Sequence, residues 1–398
     1  MANFFMSANI LLPKDCEMER WAVIACDQFT SDREYWNRVR KKAGAGPSTL
    51  HMIIPEAELA QADQSVIDGI NDTMRRYLKE NVFCEYPDSY VYVERTLKNG
   101  MIRQGIVGML DLAHYEYDPG KYPKISATEN TVLERIPPRV AVRKDARLEF
   151  PHVLLLCEDE KETLIEAVAA RKDQLPKLYE FDLMEDGGHI AGWLLQGEDA
   201  AQFDRALCAY ENENVYLVGD GNHSLVTAKT CYDNLRASGI ADENHPARYA
   251  LVELENIHSP AMAFEPIHRV ITGTDTAKLL QDIQKICDPN GVCVNWVSGE
   301  ASGQLFLAVG EGELTVGVLQ DFLDEWLKDN AGVIDYIHDT EAVLNFAKPT
   351  NAIGFLLPGM PKHALFPFVQ TGRTLPRKTF SMGHGSEKRY YLEGRKIQ

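Results

Sequence analysis

Near its middle the chain reads Asn214-Val-Tyr-Leu-Val-Gly-Asp-Gly-Asn-His-Ser-Leu-Val-Thr-Ala-Lys229. The apolar run over residues 215–218 is rich in residues that favour β-structure, so it predicts a short buried strand. A glycine-containing turn follows, and from Leu225 onward apolar residues recur at helical spacing. Gly239 is typical of the position just after a helix C-terminus. The stretch therefore predicts a strand, a tight turn and a helix, in an α/β protein.

The turn in this stretch is a candidate anion site. Asn222 and Ser224 are natural N-cap residues, so the helix is predicted to begin at one of them. The first N–H groups of a helix have no partner within it and point out of the turn together with the helix dipole. Asp220 and His223 would stand at the mouth of the turn as acid or base groups. The alternative is a structural turn whose Asn caps the helix and whose His bonds only to the backbone.

The composition restricts the classes of protein to which the chain can belong. Its 398 residues exceed one ordinary core, and we expect an N-terminal α/β portion over residues 1–120 and a core domain with the site over residues 121–398. The net charge of −18 argues against binding to nucleic acid or to anionic membranes. No apolar run approaches the ~18 residues of a membrane span, and no signal peptide is recognised. The eight cysteines form no Cys-x-x-Cys pair, which predicts reduced thiols, a cytoplasmic location and no structural metal site.

Residues 121–150 contain a carboxylate and a group of arginines. The polar segment Ser126-Ala-Thr-Glu-Asn-Thr131 presents Glu129 in a turn or at a helix start. Arg139 and Arg143 are spaced by four, as on one face of a helix, but Pro137-Pro138 and the alternating valines also allow a strand. The arginines could form an anion clamp. They could equally form a solvated basic face paired with neighbouring Glu residues, and the segment leaves both interpretations open.

Two later segments also carry basic residues. His268-Arg269 precedes a Val-Ile pair and could supply a base and a cation, although a lone His more often has a structural role. Between Arg373 and Lys396 seven Lys and Arg residues stand against two Glu, the reverse of the overall sign of the chain. Lys378 lies there beside hydroxyl residues and ahead of a Gly-His pair, a composition that suits phosphate binding. A basic tail with no other role is the alternative.

Four motifs in this order resemble an uncharacterised prokaryotic family that is called domain of unknown function ten-fifteen. They are Thr128-Glu-Asn-Thr131, Gly219-Asp-Gly-Asn-His-Ser224, His268-Arg269 and Leu375-Pro-Arg-Lys-Thr379, and the resemblance covers most of the chain. The broader family has Asp-Gly-His-His-Arg where this chain has Asp-Gly-Asn-His-Ser. That loop is similar to the phosphate loop of the ParB/sulfiredoxin-like fold, which includes kinases that phosphorylate free serine. Gly221 and His223 match the loop, and Ser224 departs from it.

The resemblance implies an α/β fold with a mixed-sheet ParB/sulfiredoxin-like core and a large N-terminal α/β addition. It implies phosphoryl transfer on a small hydroxyl-bearing or phosphorylated metabolite, with serine or O-phosphoserine as the first candidate and ATP or ADP with Mg²⁺ as the cofactor. Glu129 would be the base, and Asp220 would assist it or hold Mg²⁺. The amides of the loop would bind phosphate. His223 would be a third catalytic residue, which neutralises charge. The residues that bind phosphate or substrate would be Gly221, Asn222, Ser224, Arg139, Arg143, His268, Arg269 and Lys378.

A second hypothesis from the same residues is a non-catalytic sensor or adaptor. Such a protein would bind an anionic metabolite or a nucleotide on the same loop without turning it over. Replacement of the family Arg by Ser224 would fit a loop that has lost its catalytic role. Ligand-induced stabilisation without turnover would separate this hypothesis from the enzyme.

Overall fold

The structure is a computed structural model that describes residues 3–24, 29, 32–59, 62–118, 121, 123–131, 133–150, 153–376 and 378–398. Its strands are β1 (Phe5–Met6), β2 (Ala8–Pro13), β3 (Phe83–Thr96), β4 (Ile102–Asp111), β5 (Tyr115–Glu116), β6 (Ile125–Ala127), β7 (Leu148–Glu149), β8 (Leu154–Cys157), β9 (Lys177–Asp182), β10 (His189–Leu195), β11 (Tyr216–Asp220), β12 (Tyr249–Asn256), β13 (Phe264–Pro266), β14 (His268–Thr272), β15 (Cys287–Ser298), β16 (Ala301–Leu307), β17 (Val333–Ile337), β18 (Ala352–Leu356), β19 (Phe380–Met382) and β20 (Arg395–Lys396). Its helices are α1 (Met18–Trp21), α2 (Arg33–Ala43), α3 (Glu56–Leu59), α4 (Gln64–Lys79), α5 (Ile136–Arg143), α6 (Ile165–Ala169), α7 (Glu198–Glu213), α8 (Asn222–Ala237), α9 (Thr276–Asp282), α10 (Thr315–Asp329), α11 (Thr340–Phe346) and α12 (Leu365–Gln370).

The chain divides into two units, and the predicted α/β class is confirmed in its coarse form. The first unit comprises residues 1–262 and 384–398, and the second comprises residues 263–383. The boundary predicted near residue 120 falls inside the first unit. The reason is that strands from both sides of it pair in one sheet, since β3 joins β10 and β4 joins β12. In the described ranges the structure contains no helix whose length and apolar character would let it cross a membrane.

The first unit is organised around a mixed sheet of eleven strands. The strand order is β5-β6-β11-β8-β12-β4-β3-β10-β9, with β1 on β4 and β2 on β3. Register partners on adjacent strands bury apolar side chains in one shared core, where Val218 opposes Leu155 and Leu254 lies next to Leu155. Phe203 of α7 and Leu225 of α8 complete this core. The burial of these side chains is what holds α8 against the sheet.

The direction of the strands decides which loops share an edge of the sheet. β6 runs parallel to β11, so the residues that follow Ala127 and those that follow Asp220 leave the sheet at the same edge. β8 is antiparallel to β11 and parallel to β12. Leu154 of β8 lies in register with both Asp220 of β11 and Glu253 of β12. The backbone positions of Asp220 and Glu253 therefore both lie opposite Leu154, with a register shift in the β11–β8 pairing between Val218 and Asp220.

Local predictions from turn and helix chemistry are confirmed. β11 begins one residue later and ends two residues later than the predicted strand, so Gly219 and Asp220 belong to the strand and not to the turn. α8 follows as predicted, and Gly239 lies after the helix with a φ of 72°. The prediction that Asn222 or Ser224 caps the helix is wrong, because Gly221 is the N-cap. The segment that contains Arg139 and Arg143, for which the sequence allowed either a helix or a strand, forms helix α5, and its double proline occupies the first turn. Proline is tolerated there because the N–H groups of the first turn have no partner within the helix.

The second unit has its own sheet and its own core. Five antiparallel strands follow the order β16-β15-β18-β14-β17, and β13 pairs separately with β19. Leu279 of α9 and Leu319 of α10 pack with Ile353 and Phe355 of β18 in one fully buried cluster. Because these residues all belong to the range 263–383, the cluster is internal to the unit.

Candidate functional site

The turn between β11 and α8 depends on a glycine in the left-handed region. Gly221 has φ 84° and ψ 21°, and a Cβ atom built there would lie 3.0 Å from both Cα and Cγ2 of Val153. Glycine is the residue that adopts this conformation without strain and without that contact. No side chain in the described part of the chain caps the helix at this position. The first N–H groups of α8 have no acceptor within the helix, an arrangement that favours negatively charged groups.

Asp220 lies at the end of β11, next to this helix terminus, and both of its oxygens have partners. Oδ1 accepts a hydrogen bond of 2.8 Å from the N–H of Gly221. Oδ2 lies 3.0 Å from Nζ of Lys388. The Asp220 side chain is 30% exposed, whereas that of Lys388 is 9% exposed. The ion pair is therefore accessible from the side of the carboxylate, with the stem of the lysine buried behind it.

Lys388 was not among the residues predicted for the site. The excess of basic residues between 373 and 396 pointed instead to Lys378, whose neighbours resemble a family motif. Lys388 lies in the Ser-Glu-Lys-Arg segment that follows the Gly-His pair. No local pattern could place this lysine beside Asp220, because segment 384–398 returns to the first unit from a distant point in the chain.

Two buried arginines on neighbouring strands hold the backbone before Lys388. Arg95 of β3 donates to the carbonyl oxygens of Lys388 at 2.6 Å and of Glu387 at 3.0 Å, and also to that of Ser386. Arg103 of β4 donates to the Glu387 carbonyl at 2.6 Å. Burial, followed by the charge of Arg103, lowers the pKa of Arg95 to about 9. Arg95 is thus held by carbonyl dipoles and remains a cation at neutral pH.

The residue after Lys388 is anchored by buried carboxylates. Nε of Arg389 lies 2.9 Å from Glu253, and Nη2 donates to Glu393 at 2.7 Å. These charged groups are almost fully buried, and each has an opposite charge in contact. Since Asp220 and Glu253 both lie opposite Leu154, the consecutive residues Lys388 and Arg389 reach carboxylates on two different strands.

Glu255 of β12 is a carboxylate of this charged group whose pKa is raised by burial. It is completely buried, and its Oε1 lies 3.0 Å from Nε of Arg103. Its Oε2 has no hydrogen-bond partner among the described residues. Burial raises the pKa of Glu255 to about 7; Arg103 opposes the shift, and the neighbouring carboxylate of Glu253 adds to it. The carboxyl group is therefore partly protonated near neutral pH.

A hydrogen-bonded chain links the Glu129 segment to the same helix terminus. The buried hydroxyl of Tyr115 donates to Oδ1 of Asn222. This fixes the amide so that Nδ2 of Asn222 donates to Oγ1 of Thr131 at 3.1 Å and to the carbonyl of Glu129 at 3.4 Å. Thr128 in turn donates to the Val218 carbonyl at 2.7 Å. The half-buried Glu129 thus belongs to a segment tied to the loop, and the Asn222 side chain has a structural role.

The other loop residues are half-buried on the first turn of α8. The carbonyl of His223 accepts a hydrogen bond of 2.7 Å from Oγ1 of Thr227, one turn further along the helix. The hydroxyl of Ser224 makes no hydrogen bond within the described ranges. The loop thus offers a hydroxyl and the imidazole of His223 beside its backbone amides.

The two arginines of α5 differ in their surroundings. Nη2 of Arg143 lies 2.5 Å from Oε2 of the buried Glu149, which also pairs with Arg395 of β20. Arg143 is therefore part of an internal ion cluster. This is nearer to the alternative in which the arginines pair with neighbouring Glu residues than to an anion clamp. Nη1 of Arg139 donates to the carbonyl of Arg135, one turn earlier, and its side chain is half-buried.

The remaining predicted residues, His268, Arg269 and Lys378, belong to the second unit. Arg269 is completely buried and donates to Gln320 and to the carbonyls of Ile267 and Lys378. Nδ1 of His268 accepts the N–H of Leu357, and burial, together with Arg269, lowers the pKa of this imidazole. Arg269 and His268 therefore have structural roles inside this unit. Lys378 adopts a φ of 56°.

Comparison with known proteins gives one family and several distant structures. The family model described as a protein of unknown function (DUF1015) matches residues 10–394. No curated protein matches the sequence. A conserved hypothetical protein from Pyrococcus furiosus is 14% identical, with 73% of this chain and 94% of that chain covered and a TM-score of 0.34. A free serine kinase in complex with AMP is 15% identical, with 70% and 96% covered and a TM-score of 0.38.

Proposed function

The chain belongs to the family of unknown function DUF1015, and we propose that it catalyses phosphoryl transfer on a small hydroxyl-bearing or phosphorylated metabolite. Serine and O-phosphoserine are the first substrates to test, with ATP or ADP and Mg²⁺ as the proposed cofactor. A ParB/sulfiredoxin-like topology is proposed for the core around β11 and α8. The support comes from the loop of this chain and from the resemblance of its motif to a phosphate loop.

One observation carries the proposal: a carboxylate, an ammonium group and an uncapped helix N-terminus meet at Gly221. Asp220 contacts both the Gly221 amide and Lys388, and the segment of Glu129 is hydrogen-bonded to the first residue of the helix. Backbone amides and a cation at one point suit the oxygens of a phosphoryl group, whose charge shifts during transfer. Neighbouring carboxylates supply the acid–base function that a hydroxyl nucleophile needs.

The proposed reaction assigns a role to each group. The substrate hydroxyl oxygen attacks the terminal phosphorus of the nucleotide, the new P–O bond forms as the bond to the leaving phosphate oxygen breaks, and the hydroxyl proton passes to Glu129. The amides of residues 222–224 hold phosphate oxygens, since the N–H of Gly221 already donates to Asp220. Asp220 orients the loop through the Gly221 N–H and the Lys388 ammonium.

The described residues fit Mg²⁺ only as an ion that is bound mainly by the phosphates of the substrate. No group of three acidic, His or Cys side chains that could hold a metal lies in the described ranges. Mg²⁺ commonly binds through one or two carboxylates together with substrate phosphates. Asp220 is the carboxylate at the loop that would meet such an ion, which would offset charge on the phosphates.

Phosphorus NMR of the full chain with Mg²⁺ tests the reaction. One sample contains ATP or ADP with L-serine, and another contains O-phosphoserine alone. A new phosphomonoester signal in the first establishes a kinase, and inorganic phosphate growing in the second establishes a phosphatase. If neither spectrum changes, the serine assignment is wrong.

Variants at the two carboxylates test the residue assignment. Glu129→Gln should lower turnover by roughly 10²–10⁴-fold, because an acid–base group contributes about that much. Asp220→Asn should also lower turnover, because it removes the carboxylate that orients the loop and Lys388. The matched control is Glu134→Gln, an exposed carboxylate on the same segment, which should retain the wild-type rate. Wild-type rates in both active-site variants would contradict the assignment.

One observation favours a non-catalytic binder as the second candidate. Both oxygens of Asp220 already have partners, one in the loop and one on segment 384–398, as in a site that is built to hold an anion rather than to exchange protons. Such a protein would be stabilised by phosphorylated metabolites in a thermal-shift assay and would leave the NMR spectra unchanged. Turnover in either NMR sample excludes this candidate.

A further inference from the structure

We propose that Lys388 is the phosphate-binding cation of the loop and that the arginine contacts around segment 386–389 exist to deliver it there. The inference rests on the proposed function, since it names a residue of the same site. The loop positions 221–224 contain no Lys or Arg. A phosphoryl group bound at the helix terminus therefore needs a cation from another element, and Lys388 is directed to that point.

The ammonium group of Lys388 has donor capacity that its surroundings do not use. An ammonium carries three N–H donors and no acceptor. Among the described residues Asp220 is the only charged partner of Nζ, at 3.0 Å. A lysine that is nine-tenths buried but has one partner leaves donors for an incoming anion. The exposed edge of Asp220 marks the side from which the anion would approach.

The backbone on both sides of Lys388 is fixed by buried charges. Arg95 and Arg103 hold the carbonyls of residues 386–388, and Arg389 is held by Glu253 and Glu393. Burying so many charges is unfavourable unless all are paired and hydrogen-bonded. Attaching this segment to the first unit would not require buried charges, because apolar side chains such as Tyr390 and Leu392 already pack into the core. The arrangement instead positions one side chain, that of Lys388.

The alternative is that Lys388 only forms an ion pair with Asp220. The two roles predict different effects of removing the ammonium group. If Lys388 binds phosphate, Lys388→Met weakens binding, and Asp220→Asn, which frees the ammonium group and removes a nearby negative charge, tightens it when no metal is present. If Lys388 is only the partner of Asp220, Lys388→Met leaves phosphate binding unchanged.

The experiment is a calorimetric titration of the full chain with inorganic phosphate, and separately with ADP, in EDTA. Lys388→Met should weaken binding roughly 10- to 100-fold, the effect of losing a charge-assisted hydrogen bond. Asp220→Asn should tighten it severalfold, and Lys388→Arg should retain most of the affinity. The matched control is Lys396→Met on the same segment, whose exposed partner is Glu85. It should bind as the wild type does.

The outcomes separate the two proposals. If the wild type binds phosphate or ADP and Lys388→Met binds equally well, the role of Lys388 is overturned while the proposed function stands. If the wild type binds neither probe, both fall. Urea unfolding of each variant verifies that it is folded. Should Lys388→Met not fold, Asp220→Asn decides, because unchanged or weaker binding in that variant overturns the inference.

Discussion

Gly221 is the residue on which the geometry of the loop most directly depends. Its positive φ turns the chain from β11 into α8, and its missing Cβ leaves room for Val153. Replacing it changes both the backbone preference and the packing. Gly239, at the other end of the same helix, has a similar φ of 72° but no atom within 4 Å of a built Cβ. The two glycines form a matched pair for experiment.

Gly221→Ala should destabilise the fold by about 1–3 kcal/mol, from left-handed strain and the contact with Val153, and should weaken phosphate binding. Gly239→Ala should cost about 1–2 kcal/mol from strain alone and leave binding unchanged. Urea unfolding gives the stabilities, and titration with phosphate gives the affinities. Wild-type phosphate affinity in Gly221→Ala would show that the anion binds elsewhere.

At the scale of elements, β12 carries its carboxylates into the middle of a sheet, between β8 and β4. Glu255 faces Arg103 from β4, with Glu253 on the same strand and Arg95 and Arg389 also acting on it. Its folded pKa of about 7 lies above its ordinary value of 4.5. Between these two values the folded state retains a proton that the unfolded state has lost, so this carboxyl group lowers stability as the pH rises through that window.

We therefore expect the wild type to lose up to about 3 kcal/mol through Glu255 between pH 4.5 and pH 7, and little more from this group above pH 7. Glu255→Gln removes the titration, so the stability difference between wild type and variant should change across this window. Urea unfolding at a series of pH values measures it. A difference that is constant with pH would contradict the raised pKa.

At the scale of the whole molecule, the first unit needs a segment that lies beyond the second unit in the chain. Residues 384–398 supply partners for Asp220, Glu253 and Glu149. The second unit draws its core from residues 263–383 alone. The first unit therefore depends on a segment that is distant in the sequence, whereas the second unit is formed by one continuous stretch of the chain.

The polypeptide 263–383 should fold alone and unfold cooperatively on heating. The polypeptide 1–383 should lose the cooperative transition of its first unit, because a buried charge left without its partner costs about 3–5 kcal/mol. Circular dichroism melts of both fragments and of the full chain provide the comparison. A first unit that retains its full stability without segment 384–398 would show that these ion pairs are not needed.

Short-range chemistry is what made parts of the fold predictable. Asn99-Gly100, a dipeptide that is typical of tight hairpins, joins β3 and β4, and the spacing of apolar residues predicted α8 to within a few positions. The cap was mispredicted because Asn222 suits a cap by composition, whereas its side chain is bonded to Tyr115 and Thr131. The helix-capping propensity of a residue gives no information about the distant groups to which its side chain is bonded in the fold.

From the order of residues alone one could infer the α/β class, the strand and helix around Gly221, and the candidate carboxylates Glu129 and Asp220, because turns and helical periodicity act over a few positions. Folding in three dimensions determined that β6 lies parallel to β11, that Arg143 faces Glu149, and that Lys388 lies beside Asp220. The first and last of these pairings join residues far apart in the chain, whereas Arg143 and Glu149 are six positions apart and lie on different elements. All three depend on strand register and on burial of paired charges, which arise only when the whole sheet assembles.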